Sequence, residues 1–341
     1  MKKALLFALI LLATCSLTKV LYAKELNVYN WGAYIGETTI QDFEKSTGIK
    51  VNYSTYSSNE EMLGKLLSSE ASYDVVFPSD YMVKQMIDKD LLHPINFALI
   101  PNIKNIDSKF KNLPFDPESK FSVPYLYGTC GIGYNKKMVN DRVSGFGILA
   151  NKRYKNKIIV LDDMRFTIGA ALKYLGFSAN STNPNELDRA TALLIEIKKN
   201  IHSFSVTNYI DLLANEKVSI AFGYSAGVFQ ARVQNPSIEY AIPSEGAIIY
   251  VDNVCIPKNA QNIEEAALFI NFILDAKNSA QITNTVYSAS PNEAALPFIN
   301  KEIQENTSIF PDKETLQKSE FLKGLGDVQK EYEKRWVKIK R

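Results

Sequence analysis

Apolar and polar positions recur with two different periods along this chain, and their order lays out a fold. Leu26-Asn27-Val28-Tyr29-Asn30 reads as a strand. Thr38 to Ser46 follows as a helix, with Ile40 and Phe43 on one face and Gly48 just past its end. Ile49, Val51, Tyr53 and Thr55 then alternate with polar neighbours, as a half-buried strand does. Ser58-Asn59-Glu60-Glu61 has the form of a capping box, with Ser58 at the N-cap and Glu61 reaching back, and it opens a helix that puts Met62, Leu63, Leu66 and Leu67 on one face. Tyr73 to Phe77 is a third strand; it passes through Pro78-Ser79-Asp80 into a helix carrying Met82, Val83, Met86 and Ile87. This β-α-β-α-β order predicts an open α/β sheet.

Near residue 128 the pattern restarts. Gly128-Thr129-Cys130-Gly131-Ile132-Gly133-Tyr134 is a glycine-rich strand suited to bridging two lobes, and Ile158 to Leu161 is another strand. A helix is expected over Asn185 to Lys199 and a strand over Val218 to Phe222. Ile248 to Ile256 is a β-rich run long enough to pass back between lobes. Helices are expected over Ile263 to Ala276 and from Glu314 to about Lys338. With no repeat, low-complexity tract or linker, two lobes joined by strands that cross and return fit better than two independent beads. The length of 341 residues agrees with two domains, at about 150 residues per domain.

The first residues change how the charge is read. Met1-Lys2-Lys3, the apolar run Ala4 to Ala13 and the end Leu21-Tyr22-Ala23 have the order of a secretory leader over 1–23, cleaved after Ala23. Leu12-Ala13-Thr14-Cys15 offers the alternative of a lipid anchor at Cys15, disfavoured by the Thr before the Cys. Removing 1–23 takes away Lys2, Lys3 and Lys19 and no acid, which turns the formal net charge of +2 into −1. The remainder is expected to be soluble outside the cytoplasm and monomeric. The Lys152, Arg153, Lys155 and Lys157 cluster lacks interleaved aromatics and reads as a solvated face, so no nucleic-acid partner is expected. Cys130 and Cys255, both in apolar strand-like runs, are expected to stay free thiols rather than pair.

Ligands of open α/β sheets collect outside the carboxyl ends of the strands. Trp31 and Tyr34 follow the first strand, and Ser79, Asp80 and Tyr81 the third. Asp162 and Asp163 follow Leu161, Tyr224 and Ser225 follow Phe222, and Asp252 stands beside Tyr250. Aromatic and acidic residues dominate this set and basic ones are absent. An organic cation suits it, since carboxylates accept charge-assisted hydrogen bonds from ammonium groups and aromatic faces add cation–π attraction. Taken one at a time, the aromatics read as packing and the aspartates as helix caps; it is their coincidence at successive strand ends that favours a site. Nucleotide and hydrolase signatures such as GxGxxG, Walker A, HExxH and GxSxG are missing, and no cofactor is expected. His93 reads as an exposed loop residue and His202 as a helix-cap partner. Asp162 and Asp163 leave open a secreted α/β enzyme or a cation site, although adjacent side chains on a strand end point opposite ways.

Several segments together resemble one family. They are Tyr29 to Tyr34, Phe43 to Lys50 (FEKSTGIK), Tyr53 to Asn59, Tyr73 to Tyr81, Val123 to Gly128, Leu161 to Arg165, Gly246 to Pro257, Ala266 to Leu274 and Ser290-Pro291-Asn292. In this order they are similar to the periplasmic spermidine/putrescine-binding proteins of ABC importers. The resemblance implies a two-lobed α/β fold of the type II periplasmic binding protein class with discontinuous domains, here 24–127 with 251–296 and 128–250 with 297–341. It also implies a receptor rather than an enzyme, a polyamine ligand and permease subunits in the inner membrane as partners. The ligand contacts it implies are Trp31, Tyr34, Ser79, Tyr81, Asp163 and Asp252, with Asp80 a further carboxylate. Tyr224 and Tyr250 stand where spermidine-preferring members tend to carry Trp. Ala33, Phe166 and Leu322 replace polar or acidic residues of the family pattern. Fewer carboxylates imply fewer ligand charges, and a diamine such as putrescine is expected over spermidine. Another small cation or a metal ion remains open as the solute; a ferric site built on tyrosines would lack an adjacent Tyr-Tyr pair and would not need Trp31.

Overall fold

The computed structural model describes residues 24–68 and 72–341; the expected leader and Cys15 lie outside the described residues. The chain starts with β1 (Glu25–Trp31), α1 (Thr39–Thr47), β2 (Lys50–Tyr56), α2 (Asn59–Leu67), β3 (Val75–Val76), α3 (Asp80–Asp88) and β4 (Leu92–His93). After a run of 3-10 turns comes β5 (Ser122–Asn135), then β6 (Ile158–Leu161), α4 (Met164–Tyr174), α5 (Pro184–Lys198), β7 (Ile201–Ser205), α6 (Tyr209–Ala214), β8 (Ile220–Tyr224), α7 (Ser225–Gln234) and β9 (Ile238–Ala241). β10 (Ile248–Pro257), α8 (Ile263–Ile273), α9 (Ala276–Val286), α10 (Lys301–Gln304), α11 (Lys313–Lys318), β11 (Glu320–Phe321) and α12 (Gln329–Lys340) complete it.

Strand order along the main path is β2-β1-β3-β10-β5-β8-β6-β7. β1 runs parallel to β2 and β3, and β6 runs parallel to β7 and β8. Between these two parallel units lie β10 and β5, paired antiparallel from Ile248↔Cys130 to Cys255↔Ser122. β10 touches the first unit at its end, through Cys255↔Val76 and Ile256↔His93, whereas β5 touches the second at its end, through Cys130↔Tyr224 to Tyr134↔Ile220. Both β5 and β10 are buried almost throughout, as strands covered on two faces must be. The result is an α/β fold of two lobes joined by strands that cross and return.

Local chemistry explains the element ends. Gly48 closes α1 in the left-handed conformation, φ 71°, which glycine adopts without a Cβ penalty. The Ser58 side chain caps α2 by accepting from the Glu61 amide at 3.1 Å. The reciprocal half of the box is displaced by one residue: Glu61 accepts from the amide and hydroxyl of Ser57, not from Ser58.

Other expectations need correction. Leu67 is 61% exposed, so the apolar face of α2 ends at Leu66, which packs half-buried against the core. The helix expected over Ile263 to Ala276 is two, because Asp275 turns out to cap α9 through the amides of Lys277 and Asn278. The helix expected from Glu314 to about Lys338 is interrupted by β11, where Glu320 and Phe321 pair with Ile248 and Ile249. His202 is an exposed residue within β7 and not a cap, and His93 is half-buried in β4 with Nδ1 2.7 Å from the carbonyl of Pro94. Lys152, Arg153, Lys155 and Lys157 are all exposed. Cys130 and Cys255 are buried free thiols on neighbouring strands, and burial holds both well above the ordinary thiol pKa. Among the described residues no helix is long and apolar enough to cross a membrane.

Candidate functional site

The carboxyl ends of β1, β3 and β8 converge on a cavity of about 80 Å³. Trp31, Tyr34, Ser79, Tyr224, Tyr250 and Asp252 all line it, which brings together six residues picked out in the sequence. Tyr56, Thr207, Tyr209 and Gln230 also line it and were missed, since nothing in the spacing of β2, α6 or α7 marks them.

Asp252 is the carboxylate of that wall. It is 6% exposed; Oδ2 accepts from the Tyr34 hydroxyl and Oδ1 from the Ser79 hydroxyl, each at 2.7 Å. Burial pushes its pKa up to about 6, and the two hydroxyl donors restrain the rise. Each oxygen retains a lone pair for a further donor. Ser79 is fixed by Asn59, whose Oδ1 accepts from the Ser79 amide at 3.1 Å and whose Nδ2 donates to the Ser79 hydroxyl at 3.2 Å and to the Tyr81 hydroxyl at 3.0 Å. Tyr81 in turn donates to Glu60 at 3.4 Å. A hydrogen-bonded line therefore runs from the start of α2 to Asp252. Asn59 and Glu60, read in the sequence only as part of a cap, belong to it.

The aromatic wall is locked in the same way. Trp31 Nε1 and the Tyr56 hydroxyl both donate to the Phe77 carbonyl, at 2.8 and 2.6 Å, and the two rings lie 4.7 Å apart. Across the cavity, Tyr224 stands edge-on to Tyr250 at 5.3 Å and to Phe166 at 5.2 Å. Gly128 leaves the room that Tyr250 fills: a Cβ there would collide with the Tyr250 hydroxyl. Gly227 does the same for Tyr209.

Asp80, Tyr81 and Asp163 do not line this cavity but form a second group beside it. Asp163 is the N-cap of α4: Oδ1 accepts from the amides of Arg165 and Phe166 at 2.9 and 3.1 Å. Its Oδ2 accepts from the Tyr224 hydroxyl at 3.2 Å, so the cap also touches the cavity wall at one remove. Asp80 is fully buried, with Oδ1 on the Tyr81 amide at 2.7 Å and Oδ2 without a partner. Burial raises the pKa of both. Glu60 is an exposed residue whose carboxyl faces inward; burial of that group and the charge of Asp163 push it up to about 7.

Two readings of the strand ends change here. Asp162 is not a partner of Asp163, because it accepts from Lys340 of α12 at 2.7 Å through both oxygens. Basic residues are also not absent: Arg165, in the first turn of α4, turns inward and is 1% exposed. Among the described residues no cluster of His, Cys, Asp and Glu is placed to hold a metal ion. Of the departures noted in the sequence, Ala33 lines the cavity with φ 53°, Phe166 packs on Tyr224, and Leu322 is buried beyond β11.

Residues 38–311 match the model of the bacterial extracellular solute-binding proteins. The chain belongs to that family. Its fold is that of the type II periplasmic binding proteins, homologous to the spermidine/putrescine-binding proteins of ABC transporters, and this solute-binding protein is a transport receptor rather than an enzyme. It is 34% identical to a putrescine/cadaverine-binding protein of Pseudomonas aeruginosa, over all of this chain and 99% of that one. With a spermidine/putrescine-binding periplasmic protein of Salmonella typhimurium it shares 34% identity over 92% of this chain and 91% of the other. Among solved structures, the spermidine/putrescine ABC transporter substrate-binding protein of Streptococcus pneumoniae superposes with a TM-score of 0.81 at 34% identity, covering 93% of this chain and 98% of that one.

Proposed function

We propose that the protein captures a polyamine, a putrescine-like diamine in preference to spermidine, and delivers it to the permease of an ABC importer. The observation that carries this reading is Asp252, a buried carboxylate held by two hydroxyls in a cavity that six aromatic side chains line. One ammonium pairs with Asp252, and Trp31 and Tyr34 lie against it. The methylenes run between the Trp31–Tyr56 pair and the Tyr224–Tyr250 pair. The second ammonium donates to the Tyr224 hydroxyl, whose own proton is already given to Asp163. Tyr81 acts on the Asp252 end through Asn59 and Ser79, and Asp80 through its field, rather than by contact.

Because ligand groups from both lobes close on one molecule, the ligand stabilises the closed form, and the permease reads that form. The lobes are 24–127 with 251–296 and 128–250 with 297–341, and the protein works in the periplasm with residues 1–23 removed. Calorimetric titration with putrescine, cadaverine, spermidine and spermine tests the reading: micromolar or tighter binding of a diamine is expected. Spermidine binding much tighter than putrescine would refute the diamine preference, and silence with all four would refute the polyamine class.

A further inference from the structure

The two lobes meet along β5 and β10, and again near Phe298 and Asn300, where the chain leaves the first lobe for the last time. Elsewhere, among the described residues, a single side chain makes hydrogen bonds from lobe to lobe, that of Gln230. Gln230 lies on α7, which packs on α6 and β9 of the second lobe. Its Nε2 donates to the Val286 carbonyl at 3.2 Å and lies 3.5 Å from the Ala33 carbonyl. Both acceptors belong to the first lobe. Val286 ends α9, which packs against α1 and α8, and Ala33 stands in the turn after β1. Tyr287 closes α9 in the left-handed conformation, φ 60°, and its amide returns to the Thr283 carbonyl, so no later amide of the helix reaches Val286. Ala33 is also left-handed, φ 53°, and lies between Trp31 and Tyr34 of the cavity wall. Two carbonyls call for a donor, which turns the nitrogen of the amide toward them and its oxygen away. α7 starts at Ser225, directly after its N-cap Tyr224, so the helix moves together with the opposite aromatic wall.

We propose that Gln230 is the latch of the closed cleft: its amide joins the helix that follows Tyr224 to the turn that carries Trp31 and Tyr34, and so sets how long a ligand is held. The inference rests on the reading of the protein as a polyamine receptor that closes over its ligand, and adds the group that keeps it closed. Gln230 also lines the cavity, so two roles have to be told apart. A group that touches the ligand discriminates between amines of different length and charge. A latch stabilises the closed form whatever is inside it, and its loss weakens every ligand by one common factor. Gln230 is thus a positioning residue. Its bonds break on release and form after capture, which puts its effect in koff.

The test is calorimetric titration and rapid-mixing kinetics of the protein, of Gln230→Met and of Gln230→Glu with putrescine, cadaverine and spermidine, with unfolding curves to establish that each variant is folded. Gln230→Met keeps the length of the side chain and removes the donor. It is expected to raise Kd by about three- to tenfold, by the same factor for every amine that the unmodified protein binds, through koff with kon unchanged. Gln230→Glu sets a carboxylate against the two carbonyls and should weaken the same amines at least as much. A residue that acted by touching a cationic ligand would instead bind it more tightly as a carboxylate. Three results overturn the proposal: Kd values of Gln230→Met within about twofold of the unmodified protein, a loss that differs severalfold between the amines, or tighter binding by Gln230→Glu. If Gln230→Met does not fold, Gln230→Glu decides by the same criteria. An unmodified protein that binds none of the amines removes the polyamine reading and this inference with it; binding that the variants leave unmoved removes this inference alone.

Discussion

Replacing Asp252 by Asn keeps the size of the side chain and removes one negative charge from a site that is 6% exposed. Two effects of opposite sign follow. For the ligand, an ammonium brought into the cavity loses its ionised partner. Breaking one side of a buried pair costs about 3–5 kcal/mol, which is roughly two to three and a half powers of ten in Kd. For the empty protein, the charge is a burden. The folded pKa of Asp252 lies at about 6 against an ordinary 3.8. The folded state thus prefers the protonated acid, and a penalty on the order of 3 kcal/mol applies in full above pH 6 and vanishes below pH 3.8. Asn removes that penalty but can accept only one of the two hydroxyl bonds unless the other hydroxyl turns round, which costs about 1 kcal/mol. At pH 7.5 the empty variant should therefore be as stable as the unmodified protein, or more stable by up to ~2 kcal/mol, while putrescine binding collapses. Calorimetric titration and urea unfolding at pH 7.5 read the two quantities separately. A folded variant that binds putrescine within about threefold of the unmodified protein refutes the assignment of Asp252 as the anchor; a variant destabilised by several kcal/mol refutes the account of its charge.

Putrescine affinity should fall with pH, beginning near 7 as Glu60 takes up a proton and steepening near 6 as Asp252 does, with about tenfold lost at pH 5 from Asp252 alone; titrations that give one Kd from pH 8 to pH 5 contradict it. Gly227→Ala should drive the Tyr209 ring toward the cavity and weaken binding about tenfold or more, and an unchanged Kd in the folded variant would show that Tyr209 has room to move. Asp162→Asn should leave binding within about twofold and cost stability no more than about 1 kcal/mol, because its half-exposed Lys340 pair is structural; a large loss of affinity would return Asp162 to the site. Cys130 and Cys255 should be inert to a thiol reagent until the protein is unfolded in denaturant, when both titrate, and fast labelling of the native protein would contradict their burial.

The first half of the fold was legible because its signals are local. β1 to α3 alternate cleanly, and Ser58, Gly48 and Asp80 mark boundaries by chemistry that a few residues settle. The second half was less so. α7 is buried on nearly every side, with Ser225, Ala226, Gly227, Val228 and Phe229 all inside, so it carries no amphipathic stripe to reveal it. α6 is six residues long, too short to establish a period. β11 interrupts a helical pattern because Glu320 and Phe321 find partners in β10, which a local reading does not contain. All nine site residues emerged from one rule, the carboxyl ends of strands, and six of them do meet in one cavity, although Tyr250 and Asp252 reach it from within β10 rather than from its end. The rule could not separate wall from backing, since Asp80 and Asp163 differ from Asp252 only in what surrounds them. Nor could it show which way Arg165 turns, a matter decided by Tyr81, Tyr332 and the Lys323 carbonyl, all distant in sequence.

The pairing of β10 beside β3 and β5 also sets an order of events at the chain's birth. The first parallel unit is complete in sequence by Leu92–His93, yet the strand that closes its edge, β10, is not made until Ile248–Pro257. Until then β3 and the start of β5 have open edges, and the lobe has no finished core to fall into. Contacts of such sequence separation form slowly, because the intervening loop must close before they reward it. The first parallel unit therefore gains the strand at its edge only after about 250 residues of chain have been made, so the two lobes finish their sheets late and together rather than one after the other.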